Sequence, residues 1–130
     1  MIRVTAAIIE KNGKYLIAQR KKGQHLEFKW EFPGGKIEKD ENAKECLSRE
    51  IFEEFGLKCK VENFLGSITY SDNKYSIELM AYKVFLDSMD FRLKAHEEVK
   101  WVTLQELNLM NLAPADIILI KKIYQLLNTG

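Results

Sequence analysis

The sequence lacks any apolar run near the ~20 residues that span a bilayer, so it predicts no membrane segment. It also lacks an excess of either charge, because 20 Lys and Arg against 19 Asp and Glu give a net charge of +1. So weak a field does not favour a nucleic acid polymer or a membrane surface. The N-terminal segment shows no signal-peptide cleavage pattern. These absences leave a free small molecule as the expected partner.

Cysteine is scarce. Cys46 and Cys59 are the only two, and we expect reduced thiols in a cytoplasmic protein rather than a disulfide. No cluster of Cys and His offers a zinc site. With 130 residues, 46% of them hydrophobic and 30% charged, the chain is predicted to form a single domain over 1–130, as a monomer or a weak homodimer.

An acidic cluster stands out in the segment 35–57. Glu50, Glu53 and Glu54 are three and four positions apart, which places them on neighbouring parts of one helical surface. Like charges at this spacing cost a few tenths of a kcal/mol per pair. A divalent cation reverses that cost, because hard cations bind several oxygen ligands at once.

The apolar stripe of the same predicted helix strengthens this interpretation. At about 100° per residue, Glu54 lies ~20° and Glu50 ~60° from Leu47, which is part of the stripe. A buried carboxylate needs a positive partner. The alternative is a solvated acidic face from which one or two glutamates reach water. The stripe consists of Ala43, Leu47, Ile51 and Phe55.

Local signals delimit this helix. Pro33-Gly34-Gly35 is a turn pattern, Asp40 or Asn42 can cap a helix start, and Gly56 suits a left-handed C-cap. The prediction is a loop followed by a helix from about Asn42 to Phe55. Loop carbonyl groups and helix carboxylates together form an all-oxygen site suited to Mg²⁺, with Mn²⁺ as a substitute.

Strand and turn patterns surround the helix. Val4 to Glu10 and Tyr15 to Arg20 are predicted to pair across the turn Asn12-Gly13. Pro114 is expected to open a final helix. Thr103 and Glu106 form a capping-box pattern for a brief helix. Further strands are predicted at Trp30 to Phe32, Val61 to Tyr70, Tyr75 to Leu86 and Val99 to Val102, and the final helix is expected to bury Ile117, Ile120, Tyr124 and Leu127.

The segment Gly35 to Leu57 resembles the Nudix box, and Trp30 to Glu38 (WEFPGGKIE) resembles the MutT-type branch of that family. The resemblance implies an α/β fold: an α/β/α sandwich with a mixed β-sheet and the metal helix against one face. It implies hydrolysis of a nucleoside triphosphate to the monophosphate and pyrophosphate, in a role that clears the nucleotide pool. The matching positions of the box are Gly35, Glu41, Arg49, Glu50, Ile51, Glu53, Glu54, Gly56 and Leu57.

The resemblance also implies catalytic roles. Glu50, Glu53, Glu54 and the backbone carbonyl of Gly34 would bind the metal, and Glu53 or a later glutamate would activate water. Arg49 would orient these glutamates by hydrogen bonds. The family often adds one acid before a late tryptophan. Here that acid is Glu98, with Glu97 as the second choice and a solvated strand edge as the alternative for both.

Several substrate contacts are expected from residues that precede the helix in the chain. Arg20 could hold a phosphate through its bidentate guanidinium, or be a solvent-exposed charge at a strand end. His25 matches a substrate-contacting position of the branch, or is an exposed loop histidine. The segment Glu31, Phe32, Pro33 and Gly34 is expected to contact the substrate as well.

The segment that ends at Asp116, Leu112-Ala113-Pro114-Ala115-Asp116, resembles the one in which MutT-type enzymes recognise the nucleobase. An ionised aspartate only accepts hydrogen bonds and so prefers an exocyclic amino group, such as cytosine N4 or adenine N6, whereas a protonated one also donates. The segment resembles that of CTP-hydrolysing members, which implies CTP, dCTP or a 5-modified dCTP. The alternative is that Asp116 only favours the helix N-terminus.

Other functions stay open at this point. They are 8-oxo-dGTP hydrolysis, another Nudix substrate such as ADP-ribose, a non-catalytic nucleotide-sensing domain, and a structural metal-binding domain.

Overall fold

A computed structural model describes residues 1–128, and seven strands and three helices are found in this range. None of these helices combines the length and the apolar character that crossing a membrane requires. In chain order the elements are β1 Ile2–Ile8, β2 Glu10–Lys11, β3 Lys14–Arg20, β4 Trp30–Glu31, α1 Ala43–Phe55, β5 Cys59–Ser71, β6 Ser76–Leu86, β7 His96–Val102, α2 Leu104–Leu107 and α3 Pro114–Leu127.

One sheet has the order β1-β6-β5, with β1 parallel to β6 and β5 antiparallel to it. The predicted pairing of Val4–Glu10 with the strand after Asn12-Gly13 is therefore wrong for most of its length. Only Glu10–Lys11 pairs with β3, while β1 pairs with β6 from Ile2↔Ile77 onwards. The reason is burial: the run 5–9 is buried, as expected of a parallel strand covered on both faces.

The second sheet joins β2, β3 and β4, with β7 antiparallel to the other edge of β3. The loop after β4 connects the two sheets. It runs along β1, where Thr5 N–H donates to Gly35 O at 2.8 Å and Ala7 N–H donates to Pro33 O at 2.7 Å. The turn glycines are thereby held against the first strand.

Helix α1 has the predicted bounds. Asn42 is the N-cap, in a capping box with Glu45, and Gly56 ends the helix in the left-handed conformation with φ 69°. Leu47, Ile51 and Phe55 are buried, as the apolar stripe predicts, together with Cys46.

The two long helices cover opposite faces of the sheets. Ala6 and Ile8 of β1 pack in one core cluster with residues of α3, whereas Ala7 and Ile9 pack in a second cluster with residues of α1. Since successive side chains of a strand point to opposite faces, α1 and α3 lie on either side of β1. This is the predicted α/β/α sandwich with mixed strand directions.

The predicted buried face of α3 is partly wrong. Ile117 is 39% exposed, whereas Ala115, Asp116, Leu119 and Ile123 are buried and Ile120 is buried as expected. The prediction was based only on the spacing of large apolar residues. The helix instead turns a small alanine and an aspartate inward at its first turn.

Candidate active site

A cavity of about 400 Å³ collects side chains from distant parts of the chain. Helix α1 contributes Glu50 and Glu54, and the first turn of α3 contributes Asp116. The β5–β6 hairpin contributes Tyr75 to the same cavity. Of the residues predicted to form the site, the lining contains Arg20, His25, Glu31, Phe32, Gly34, Glu50, Glu54 and Asp116.

The two turn glycines permit close contacts that a side chain would block. Gly34 has φ 147°, and a Cβ there would lie 2.1 Å from the carbonyl oxygen of Thr5. A Cβ on Gly35 would lie 2.3 Å from Cδ of Glu50. The absence of side chains therefore lets the loop pack on β1 and lets the Glu50 carboxylate pack on the loop.

Glu54 is in an unfavourable environment for a negative charge. Burial, followed by the charges of Glu50 and Glu31, raises its pKa to about 9, although a hydrogen bond from the Gly34 backbone opposes the shift. Burial likewise raises the pKa of Glu50. Oε1 of Glu54 is buried and has no hydrogen-bond partner within residues 1–128. A cation bound here would offset the repulsion and would provide the missing partner.

Arg49 connects several of the acids. It donates to both carboxylate oxygens of Glu41, at 3.0 and 2.7 Å, and this hydrogen-bonded pairing lowers the pKa of Glu41 to about 2. Its Nη1 lies 2.8 Å from Glu50 Oε1 and 3.0 Å from Glu53 Oε1. Arg49 does not line the cavity. Its guanidinium therefore fixes the orientation of the Glu50 carboxylate from outside the cavity.

The acids fit a divalent cation in part. The donor set is all oxygen, and Glu50 and Glu54 lie one helical turn apart on α1, both in the cavity lining. Yet in the described part of the chain no three His, Cys, Asp or Glu side chains are arranged so that they could hold a metal ion. Glu53 is 56% exposed and paired with Arg49, and it does not line the cavity. The structure thus brings two of the three predicted helix ligands into the cavity.

Asp116 is buried, and its Oδ1 accepts a hydrogen bond from Phe32 N–H at 3.1 Å. Burial, with a smaller contribution from the charge of Glu31, raises its pKa to about 8. A carboxyl with this pKa is mostly protonated at neutral pH, so it can both donate and accept. Asp116 therefore has the chemistry to bind a polar edge of a ligand.

Arg20 and His25 lie on the same side of the cavity. Arg20 donates through Nη1 to Glu31 Oε1 at 3.0 Å and through Nε to the backbone oxygen of His25 at 2.6 Å. The His25 side chain is 3.0 Å from the hydroxyl of Tyr75, with the two rings edge to face. His25 thus contacts the β5–β6 hairpin across the cavity, and Arg20 stabilises the loop that carries it.

Besides Arg49 and Glu53, two further predicted residues, Glu98 and Pro33, are absent from the lining. Glu98 is exposed on β7, and its neighbour Glu97 accepts a hydrogen bond from Lys22 N–H. Pro33 is buried, and its contribution is the carbonyl that accepts from Ala7. Their roles in catalysis and substrate binding stay predictions.

His96 was not predicted to take part, and neither was Tyr75. His96 is buried at the start of β7, and its Nε2 lies 2.9 Å from Glu31 Oε2. Neither residue has a sequence signal, because each acquires its partner only when segments far apart in the chain meet. Their partners are 65 and 50 residues away.

Residues 1–123 match the NUDIX domain, and the chain belongs to the Nudix hydrolase family. Members of this family act on small nucleotide substrates and generally use divalent metal ions. The fold agrees with this assignment. The solution structure of the E. coli ORF135 protein superposes with a TM-score of 0.83 and 34% sequence identity, over 99% of this chain and 91% of that one.

Two curated relatives resemble this chain over most of its length. The CTP pyrophosphohydrolase of Escherichia coli (strain K12) is 40% identical over 125 residues, which are 93% of this chain and 90% of that protein. A protein of Mycobacterium tuberculosis named putative 8-oxo-dGTP diphosphatase 2 is 34% identical over 87% of this chain and 81% of its own length. Together with the site, these similarities identify an enzyme with MutT-type relatives.

Proposed function

We propose that the protein hydrolyses a nucleoside triphosphate with a cytosine-type base, such as CTP, dCTP or a 5-modified dCTP, to the monophosphate and pyrophosphate. The reaction would depend on Mg²⁺, and the proposed role is that of a cytoplasmic enzyme that clears the nucleotide pool. One observation carries the proposal: a single cavity contains both the acid pair Glu50 and Glu54 and the buried carboxyl of Asp116.

The acid pair supports a role in binding the triphosphate. Glu50, Glu54 and the Gly34 carbonyl would hold the cation, with Glu53 and Glu98 as further proposed ligands. When bound, a magnesium ion neutralises phosphate charge and positions the anhydride. Arg49 would keep Glu50 oriented, since Nη1 is 2.8 Å from Glu50 Oε1. Nη2 of Arg20 makes no hydrogen bond within the described residues and would bind a phosphate oxygen.

Hydrolysis adds one water across the anhydride between the α- and β-phosphates. A carboxylate near the reacting phosphorus takes the water proton, and the leaving pyrophosphate departs with its negative charge compensated. We assign the proton transfer to Glu53, which is outside the cavity lining but lies one helical turn from Glu50, a residue of that lining.

Asp116 supports selection of the base. Its raised pKa also favours a second candidate, 8-oxo-dGTP, because a protonated carboxyl can bind a mixed edge with donors and acceptors. The similarity to a relative named for CTP and to another named for 8-oxo-dGTP is consistent with either base.

The test is turnover of CTP, dCTP, 5-methyl-dCTP, 8-oxo-dGTP and ADP-ribose in Mg²⁺ and in Mn²⁺, with identification of the phosphate products. We expect pyrophosphate and monophosphate, with a cytosine nucleotide preferred. Orthophosphate and diphosphate would contradict the proposal. Asp116→Asn should change the order of preference among the bases, and an unchanged order would remove Asp116 from base recognition.

A further inference from the structure

His96 has two defined contacts in the interior. Its ring is parallel to that of Phe55, with an interplanar angle of 2° and centroids 5.4 Å apart. Its Nε2 lies 2.9 Å from Glu31 Oε2, and because a carboxylate only accepts, Nε2 is the donor. With 3% of its side chain exposed, His96 is shielded from solvent.

The Glu31 carboxylate is held by one donor on each oxygen. Arg20 Nη1 lies 3.0 Å from Oε1, and His96 Nε2 lies 2.9 Å from Oε2. A single donor would leave the carboxylate free to rotate, whereas two donors on different oxygens fix its plane. The orientation of Glu31 is thus determined by a residue of β3 and a residue of β7.

Glu31 lies where it affects both ends of the cavity. Its charge contributes to the raised pKa of Asp116, after burial, and to that of Glu54, after burial and Glu50. Its chain neighbour Phe32 donates the backbone hydrogen bond that Asp116 Oδ1 accepts. A change in Glu31 should therefore alter the environment of Asp116, the carboxyl proposed to bind the base.

We propose that His96 is a positioning residue for base selection, which acts by holding the Glu31 carboxylate in a fixed orientation in the cavity that Asp116 also lines. The inference rests on the proposed function and deepens it. Without the His96 donor, Oε2 of Glu31 needs another hydrogen-bond partner. The amino group of a bound base and the proton of Asp116 are donors within the same cavity. A second, mobile acceptor would weaken the ability of Asp116 to distinguish one base edge from another.

CTP and UTP provide the sharpest substrate pair. They share ribose and triphosphate and differ at positions 3 and 4 of the base: cytosine has an N3 acceptor and a 4-amino donor, whereas uracil has an N3–H donor and a 4-carbonyl acceptor. His96→Phe keeps the ring next to Phe55 but removes the donor, and His96→Gln keeps a side-chain N–H donor. We expect His96→Phe to lower the CTP-to-UTP ratio of kcat/KM at least about fivefold, mainly through KM for CTP, and His96→Gln to retain the ratio within about twofold.

A double-mutant cycle shows whether His96 acts through Glu31. Glu31→Gln should lower the same ratio, and His96→Phe with Glu31→Gln should lower it no further, because coupled residues are not additive. Equal losses for CTP and UTP in His96→Phe, or losses that multiply in the double variant, would overturn the proposal.

The test must also cover two outcomes: a His96→Phe variant that fails to fold, and a wild type that turns over neither nucleotide. Should His96→Phe fail to fold, long-range ¹H–¹⁵N spectra of the wild type should show a proton on His96 Nε2 with a shift that changes in Glu31→Gln. An unchanged shift would refute the contact on which the proposal depends. A wild type that turns over neither CTP nor UTP refutes the proposed function alone, and the variants are then compared on the two best substrates of the panel.

Discussion

The Glu50 carboxylate packs directly against the backbone of Gly35, where a Cβ would lie 2.3 Å from Cδ and 2.5 Å from Oε2 of Glu50. The residue at position 35 therefore determines where this acid can lie. The contact atoms belong to the end of a flexible side chain, so a substitution displaces the acid without disturbing the backbone.

Gly35→Ala should inactivate the enzyme while preserving the fold. The backbone of Gly35 is outside the left-handed region, so alanine is tolerated there. Moving a reacting group by about 1 Å can cost ~100-fold in rate, and we expect a loss of that order in kcat/KM. The free energy of unfolding, measured with urea, should stay within about 1 kcal/mol of the wild type. Wild-type activity in Gly35→Ala would show that the position of Glu50 is unimportant.

Gly34→Ala, in contrast to Gly35→Ala, should destabilise the fold. Its φ of 147° disfavours a side chain, and the Cβ would lie 2.1 Å from a backbone oxygen of Thr5. We expect a loss of more than about 2 kcal/mol in the free energy of unfolding. Gly13→Ala is the matched control, because Gly13 has φ 79° and no atom within 4 Å of the added Cβ. An equal loss in the free energy of unfolding for Gly34→Ala and Gly13→Ala would show that backbone strain alone accounts for the effect and that the contact with Thr5 adds nothing.

The sequence predicted α1 well because its boundaries depend on local chemistry. The cap at Asn42 and the glycine at 56 act on the turns next to them. Pairing of β1 could not be predicted in the same way. Ile2 meets Ile77, and no residue near Ile2 specifies a partner so distant in the chain.

The same distinction separates the predicted from the unpredicted parts of the site. Glu50 and Glu54 are placed in the cavity by a helix whose period is known in advance. His96 is a single histidine in a strand, and only its contact with Glu31, 65 residues away, indicates a role. Asp116 shows the limit of apolar periodicity, since a charged residue type occupies a buried position at the first turn of α3.

Glu54→Gln should raise the melting temperature in the absence of metal and abolish the stabilisation by Mg²⁺. Burial opposes the charge of Glu54, and an amide of nearly the same shape carries none. At pH 8 without metal we expect Glu54→Gln to melt above the wild type. Adding Mg²⁺ should raise the melting temperature of the wild type and leave that of Glu54→Gln nearly unchanged. A Mg²⁺ response of wild-type size in Glu54→Gln would exclude this carboxyl as a ligand.

Glu53→Gln should reduce kcat by roughly two orders of magnitude or more if Glu53 accepts the water proton. Glu38→Gln is a matched control, because Glu38 contacts the same Arg49 nitrogen at 3.1 Å and is similarly exposed. Both substitutions remove one exposed ion pair, so each should change the free energy of unfolding by at most about 1 kcal/mol. A folded Glu53→Gln variant as active as Glu38→Gln would remove Glu53 from the reaction.

Asp116→Asn should flatten the pH dependence of stability. The pKa of Asp116 is raised from 3.8 to about 8 in the folded protein, so the native state keeps a proton that the unfolded chain releases. The stabilisation from this proton is complete below about pH 4, declines as pH rises, and is lost above about pH 8, with a slope of up to ~1.4 kcal/mol per pH unit. Asparagine can still accept from Phe32 N–H but does not titrate. Urea unfolding in EDTA at pH 5, 6, 7 and 8 should therefore show a steeper decline for the wild type than for Asp116→Asn. Parallel curves would mean that Asp116 is already ionised in the folded protein.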